Sequence, residues 1–389
     1  MKQDTKIIKA GRHPEKCHGA VNPPVYRFST IIFPTVKKLL SVTNENKYDE
    51  TLYGRLGTPT TAALEEAIAE LEGGSHCVAT PSGVAAITIS LLAFLRAGDH
   101  LLMTNAAYHA VRDFCEAILP GFGIETTFYN PLLGKDIASL IRTNTRVIFC
   151  ESPGSNTFEV QDIPAIVEVA HSNNCVVMLD NSWATPLFFK PLQMGVDISI
   201  QAGTKYIVGH SDAMLGTITV SNRENFLRVK DCAAKFGFCL GSEEAYLGLR
   251  GLRTLSVRLR QHMENGITLA NWLKNCPEVA RVMHPALPPD PGYEIWKRDF
   301  SGACGLFGIV LRPCTMARLE AMLDGMNHFS LGYSWGGYES LILPMRTGIV
   351  ANRLQDEPME ATLRIHAGLE DVEDLISDFE QGFERLRMV

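Results

Sequence analysis

Hydrophobic and polar positions alternate between two periods along most of the chain. Leu64–Leu71 (LEEAIAEL) spaces its apolar residues as a helix does, whereas Cys77–Thr80 and His100–Thr104 are short apolar runs of strand length. Between them Val84–Leu95 is apolar except for Thr88 and Ser90 and is closed by Arg96, which predicts a buried helix. It falls well short of the ~18 residues that a membrane span needs. The alternation continues through strand Arg146–Glu151, helix Ile163–His171, and strands Cys175–Asp180 and Asp197–Gln201. These apolar, β-branched runs are the pattern of a parallel sheet covered on both faces, so the fold class is α/β.

The long helical stretch Ser256–Lys274 leads into a unit of different grain: strand Gly305–Leu311, helix Thr315–Asp324, strand Leu363–Ala367 and a final helix capped by Asp371. We therefore expect an irregular, Pro-rich arm over 1–55, a large α/β domain over 56–255, and a smaller α+β carboxy-terminal domain over 256–389.

Composition narrows the function classes. At 46% hydrophobic and 20% charged residues over 389 positions, the chain can bury a large core without staples. Its net charge of −7, and the lack of any run of five Lys or Arg, argue against nucleic acid or a membrane surface as partner. A small-molecule partner is the default. Met1–Lys9 carries no apolar core of signal-peptide type, and the ten cysteines form no CxxC pair. Both fit a cytoplasmic protein with free thiols. His13, Cys17 and His18 lack a second ligand pair, so no metal is expected.

Two phosphate-loop signatures fail: Gly121-Phe-Gly123 lacks the third glycine, and Gly134-Lys135 is followed by Asp136. Gly332-Tyr-Ser334-Trp-Gly336 does match the G-x-S-x-G elbow of serine hydrolases, with His366 and Asp371 downstream. The order Ser, His, Asp is wrong for that fold, and few residues remain to build the partners' strands.

Asp197–Ser211 (DISIQAGTKYIVGHS) is more informative. Lys205 follows an apolar strand and a Gly-Thr turn, so it lies at the carboxyl end of a sheet, where open α/β folds place their ligands. Desolvation there would lower its pKa, as a Schiff-base lysine requires. Asp180 ends a neighbouring buried strand, where its charge calls for a cationic partner such as a pyridinium nitrogen. Pro81-Ser82-Gly83-Val84 joins a strand to a helix and offers free N–H groups to a phosphate. Lysine, aspartate and helix-start turn together describe a pyridoxal 5′-phosphate site.

These residues resemble the lysine signature of the Cys/Met-metabolism group of fold-type-I pyridoxal-phosphate enzymes. GAVNPPVYRFST (Gly19–Thr30), YGRLGTPT (Tyr53–Thr60) and RGLRTL (Arg250–Leu255) match its other blocks in order, from Gly19 to about Glu384. YSWGGYESL (Tyr333–Leu341), ESPGS (Glu151–Ser155) and LMTNAAY (Leu102–Tyr108) are closest to its bacterial β-eliminating carbon–sulfur lyases. The resemblance implies that Lys205 holds the cofactor and moves the proton, Asp180 pairs with the ring nitrogen, and Tyr108 stacks on the ring. It implies phosphate contacts from Gly83, Val84 and Thr204, with Tyr53 and Arg55 reaching in from a neighbouring chain. Arg364, Ser334, Trp335 and Tyr53 would bind the substrate, Arg364 through its α-carboxylate.

The implied substrate is L-cystathionine, with L-cystine or cysteine as further candidates, and its β-cleavage would serve methionine synthesis. Asp113, five residues beyond Tyr108, is the candidate partner of the distal ammonium. The implied assembly is a homo-oligomer, as a tetramer built from two dimers. A γ-acting relative, a synthase or γ-lyase, remains the alternative. Two departures bear on the cofactor: Ala202 stands where many members have Ser, and Ser155 where many have Asn.

Overall fold

The short apolar runs become strands, and their carboxyl ends gather at one edge. A computed structural model describes residues 1–42, 46–345 and 359–388. Seven strands form the larger sheet: β1 (His76–Thr80), β2 (His100–Thr104), β3 (Glu125–Tyr129), β4 (Thr145–Glu151), β5 (Val176–Asp180), β6 (Ile198–Gln201) and β7 (Gly216–Val220). Their order is β1-β7-β6-β5-β4-β2-β3. All pairings are parallel except those of β7, which runs antiparallel to both β1 and β6. The α/β expectation therefore holds, with one reversed strand that the apolar pattern did not reveal. Because β7 is reversed between them, β1 and β6 point the same way, and the turns after β1, β2, β4, β5 and β6 share one edge.

Helices cover both faces. The helix Gly83–Phe94 packs its apolar length against Val78, Met178, Ile198 and Ile218 on one side, while Pro59–Glu72 and Ile163–Ser172 cover the other. A Thr58 capping box, Pro at the first turn and left-handed Gly73 at the end fix the bounds of the Pro59–Glu72 helix.

The second sheet has β8 (Val279–Met283), β9 (Leu306–Leu311), β10 (Ser330–Leu331), β11 (Leu341–Pro344) and β12 (Thr362–His366), in the order β10-β11-β12-β9-β8. Its core is closed by the helices Leu255–Leu273 and Val372–Met388. The first of these matches the helical stretch expected over Ser256–Lys274 to within a residue at each end. At the amino terminus the chain is more ordered than an irregular arm: Gln3–Lys9 is helical, Ile7 is buried, and Arg253 donates to the carbonyls of Ile7 and Ala10 at 2.8 and 2.9 Å. All ten cysteines are free, and no described helix is long and apolar enough to cross a membrane.

Candidate active site

The site grows from the strand ends. Register aligns Glu151 of β4 with Asp180 of β5, and Asp180 with Ile200 of β6. Four residues past Gln201 the chain reaches Lys205. Asp180 is 8% exposed, and its two hydrogen bonds fall on one oxygen: Ser182 donates its N–H at 2.9 Å and its hydroxyl at 2.6 Å to Oδ1. The Ser182 hydroxyl in turn accepts the Ala202 N–H at 2.6 Å, tying the carboxylate to the lysine turn. Burial raises the Asp180 pKa, against the Ser182 bonds and the charge of Lys205.

Lys205 is desolvated. Burial first, then the neighbouring Arg364 cation, lowers its pKa to about 8, partly offset by Asp180. Its Nζ donates to Ser334 Oγ at 2.6 Å and lies 5.3 Å from the centre of the Trp335 ring. Arg364, on β12, donates to the Ser334 carbonyl at 3.1 Å. Ser334 itself is left-handed, with φ at 78°, a conformation that a non-glycine residue adopts only when its surroundings impose it. Thus the second sheet and its loop deliver Ser334, Trp335 and Arg364 to the lysine of the first.

The helix start expected to hold a phosphate lies in the same place. Ser82 caps the helix Gly83–Phe94 by accepting from Ala85, and the N–H groups of Gly83 and Val84 have no acceptor within the helix. A Cβ on Gly83 would come within 2.6 Å of the Ala202 Cβ, so this helix start abuts the lysine turn only because both residues are small. Ala202 therefore serves close packing, a role that its sequence position alone did not suggest. Tyr108 begins the helix His109–Ala117 and donates its N–H to Glu151 Oε2 at 2.9 Å.

Four further expected residues lie outside this hydrogen-bonded cluster. Thr204 Oγ1 accepts from the Leu215 N–H at 2.9 Å and donates to the Leu215 carbonyl at 3.1 Å, so its proton is already used within the fold. Tyr53 is exposed, and Arg55 donates to the Ala234 carbonyl of its own chain at 2.6 Å. Asp113 is exposed on the helix His109–Ala117 and has no hydrogen bond or ion pair among the described residues.

Two residues that the sequence reading passed over belong here. Burial and the adjacent Asp180 charge push the Glu151 pKa up, and its carboxylate also accepts the Ser155 hydroxyl. The strand-end argument that singled out Asp180 applies equally to Glu151. Ser182 had no local signal, because its bond to Ala202 depends on the neighbouring strand. The hydrolase triad does not form: His366 bonds the Gly336 N–H and the Glu339 carbonyl, and Asp371 Oδ1 accepts from the Glu373 N–H at the start of the last helix. No group of three His, Cys, Asp or Glu suited to a metal occurs among the described residues.

A half-buried lysine whose pKa desolvation lowers, beside a strand-end carboxylate and a free helix start, on an α/β sheet with a smaller second domain, defines a pyridoxal-phosphate lysine enzyme. The chain belongs to the Cys/Met metabolism PLP-dependent enzyme family, whose model matches residues 4–384. It is 47% identical to the cystathionine beta-lyase of Salmonella typhimurium, over 98% of each chain. It is also 42% identical to the L-alanine/L-glutamate racemase of Wolbachia pipientis wMel, over 99% of this chain and 98% of that protein. Among solved structures, metB from Corynebacterium glutamicum superposes with a TM-score of 0.90 at 29% identity, covering 99% of this chain and 98% of that one.

Proposed function

We infer that the chain cleaves the Cβ–S bond of L-cystathionine by α,β-elimination, giving homocysteine, pyruvate and ammonia in methionine biosynthesis. The observation that carries this reading is the meeting of Lys205 and Arg364 on Ser334, the lysine at its hydroxyl and the arginine at its carbonyl, with Asp180 near the lysine. The residues suit pyridoxal phosphate. Asp180 keeps one oxygen without a hydrogen bond for a ring N–H⁺, and the N–H groups of Gly83 and Val84 suit its phosphate. Held on Lys205 until the substrate amino group takes the lysine's place, the cofactor would supply an electron sink for the pair released at the substrate Cα.

Arg364 binds the α-carboxylate through charge-assisted hydrogen bonds, and Ser334 and Trp335 form the wall beside it. Lys205 Nζ, once released and with desolvation disfavouring its charged form, takes the Cα proton. The Cβ–S electron pair departs with sulfur, which gains a proton to leave as homocysteine. The three-carbon remainder takes up one water and leaves as pyruvate and ammonia. Tyr108 covers the ring face, and Glu151 fixes its height through the backbone bond. Thr204 would join the phosphate contacts by rotating its hydroxyl from the Leu215 carbonyl toward the phosphate, while still accepting the Leu215 N–H.

Asp113 receives the distal ammonium. Asp113→Asn is expected to raise KM for L-cystathionine more than KM for a β-substituted alanine lacking that group; equal changes would remove Asp113 from recognition.

Tyr53 and Arg55 complete the site of a second copy. Exposed apolar side chains along the same segment support this, among them Ile32 at 93%, Val36 and Leu40. A homotetramer of two such dimers, in the cytoplasm, accords with this surface and with ten free thiols.

The direct test is incubation with L-cystathionine and assay of the keto acid. Pyruvate is expected; 2-oxobutyrate would mean γ-cleavage, and racemisation of alanine without pyruvate would mean that proton transfer at Cα is the whole reaction.

A further inference from the structure

We propose that His366 is the positioning residue that holds Ser334 and Trp335 against Lys205, acting through the Gly336 N–H. The inference rests on the functional reading above and adds to it a residue that touches neither substrate nor cofactor.

His366 ends β12, two residues beyond Arg364, and is 1% exposed. Its Nε2 lies 3.1 Å from the Gly336 nitrogen, whose N–H donates to it, so Nε2 carries no proton. Its Nδ1 therefore bears the hydrogen and donates to the Glu339 carbonyl at 3.1 Å. One neutral tautomer thus clamps both ends of the segment Gly336–Glu339. Gly336, with φ at 87°, lies so close to Lys205 that a Cβ would come within 2.9 Å of the Lys205 carbonyl carbon and the Tyr206 nitrogen. The clamp hence fixes the loop where it passes over the lysine backbone. Immediately before it, Ser334 is held left-handed with its hydroxyl on Lys205 Nζ, and Trp335 packs its ring 5.4 Å from that of Tyr206.

Other bonds secure the far side of the loop without touching Gly336. Ser340 donates to both oxygens of Glu370, and Leu369 donates to the Tyr338 carbonyl at 2.8 Å. Behind His366, the His262 ring lies 5.1 Å away and uses its Nδ1 on the Ala367 carbonyl. Of the bonds described, only His366 restrains the amide directly after Trp335. Releasing it leaves the Arg364 bond to the Ser334 carbonyl but lets the left-handed backbone relax, so the Ser334 hydroxyl turns away from Lys205.

Two substitutions separate this role from plain stability, because each removes one hydrogen bond and keeps the other. In His366→Gln the amide oxygen reaches the Nε2 position and keeps the Gly336 bond. In His366→Asn the amide nitrogen occupies the Nδ1 position and keeps only the Glu339 bond. Hydrogen exchange of the holoenzyme should show the Gly336 amide protected in Gln and exposed in Asn. With L-cystathionine, Asn should raise KM about tenfold and Gln no more than about threefold. Adding Ser334→Ala to Asn should cost little more than Asn alone, since both act on one hydroxyl.

Equal exchange and equal KM in the two variants, or fully additive losses with Ser334→Ala, would overturn the proposal. If wild type yields no pyruvate the functional reading fails by itself, while the exchange contrast still tests the clamp.

Discussion

Two buried carboxylates, one in each sheet's territory, show how differently this chain treats charge. Asp378, on the last helix, is 1% exposed and accepts three backbone N–H groups, from Asn327, His328 and Phe329, at 2.7 to 3.0 Å. Both its oxygens are satisfied within the fold, at the edge of a core to which Phe329, Phe379 and Phe383 belong. Asp180 is nearly as buried, yet one of its oxygens has no hydrogen bond, and its register partner is another acid, Glu151. Asp378 is a carboxylate that the fold completes by itself. At Asp180 the free oxygen stands at a strand end beside Lys205 and the open helix start at Gly83, a combination suited to a charged ligand.

The largest expected effect belongs to the lysine. Lys205→Ala should remove the visible cofactor band and lower turnover at least ~10³-fold with the melting temperature little changed, because the proton shuttle is lost while the site loses a desolvated charge. Persisting colour and activity would end the comparison at its root.

Exchanging the two aspartates tests it most symmetrically. Asp180→Asn should lower kcat by roughly 10²-fold, through loss of charge at the ring nitrogen, without lowering the melting temperature. Asp378→Asn should do the reverse, destabilising by about 1–3 kcal/mol, because the amide cannot accept all three N–H groups, while kcat stays near normal. Matching phenotypes would show that the distinction between the two sites is false.

Within the site, Arg364→Ala should raise KM for L-cystathionine ~10- to 100-fold and Ser334→Ala only a few-fold, the difference between a charge-assisted and a neutral hydrogen bond. Should Ser334→Ala abolish activity instead, the serine does more than bind.

The smallest effect concerns Glu72, a buried acid away from the lysine, held by Ser199 Oγ at 3.1 Å and Gln201 Nε2 at 2.7 Å. Burial pushes its pKa up to about 7, above the value in the unfolded chain. The folded state therefore holds the extra proton, and the stability that this contributes is full at acid pH and lost as pH rises through about 7. Glu72→Gln should flatten the decline of melting temperature between pH 5 and 8; an unchanged slope would assign that decline to other groups.

Much of this was legible in the chain because the site is made at strand ends. The run CVVMLD announces both a buried strand and a carboxylate at its edge, and the Gly-Thr turn before Lys205 does the same for the lysine. β7 escaped because its residues, GTITV, alternate Thr with apolar side chains in the manner of a half-exposed strand, whereas Thr217 and Thr219 are fully buried. β3 lies at the sheet edge and carries the polar run ETTFY, too weakly apolar to separate from a loop. His366 was visible only as a failed triad partner. Its bond to Gly336 joins two segments thirty residues apart, and no local pattern encodes that meeting.

On the function proposed above, the strand-end lysine carries the cofactor. Reducing the holoenzyme with borohydride, digesting it and locating the phosphopyridoxyl group by mass spectrometry tests this most directly. The group is predicted on Lys205 and should be absent from Lys190 and Lys230, the other partly buried lysines of the large domain. Its recovery on any lysine other than Lys205, or on none, would contradict the account.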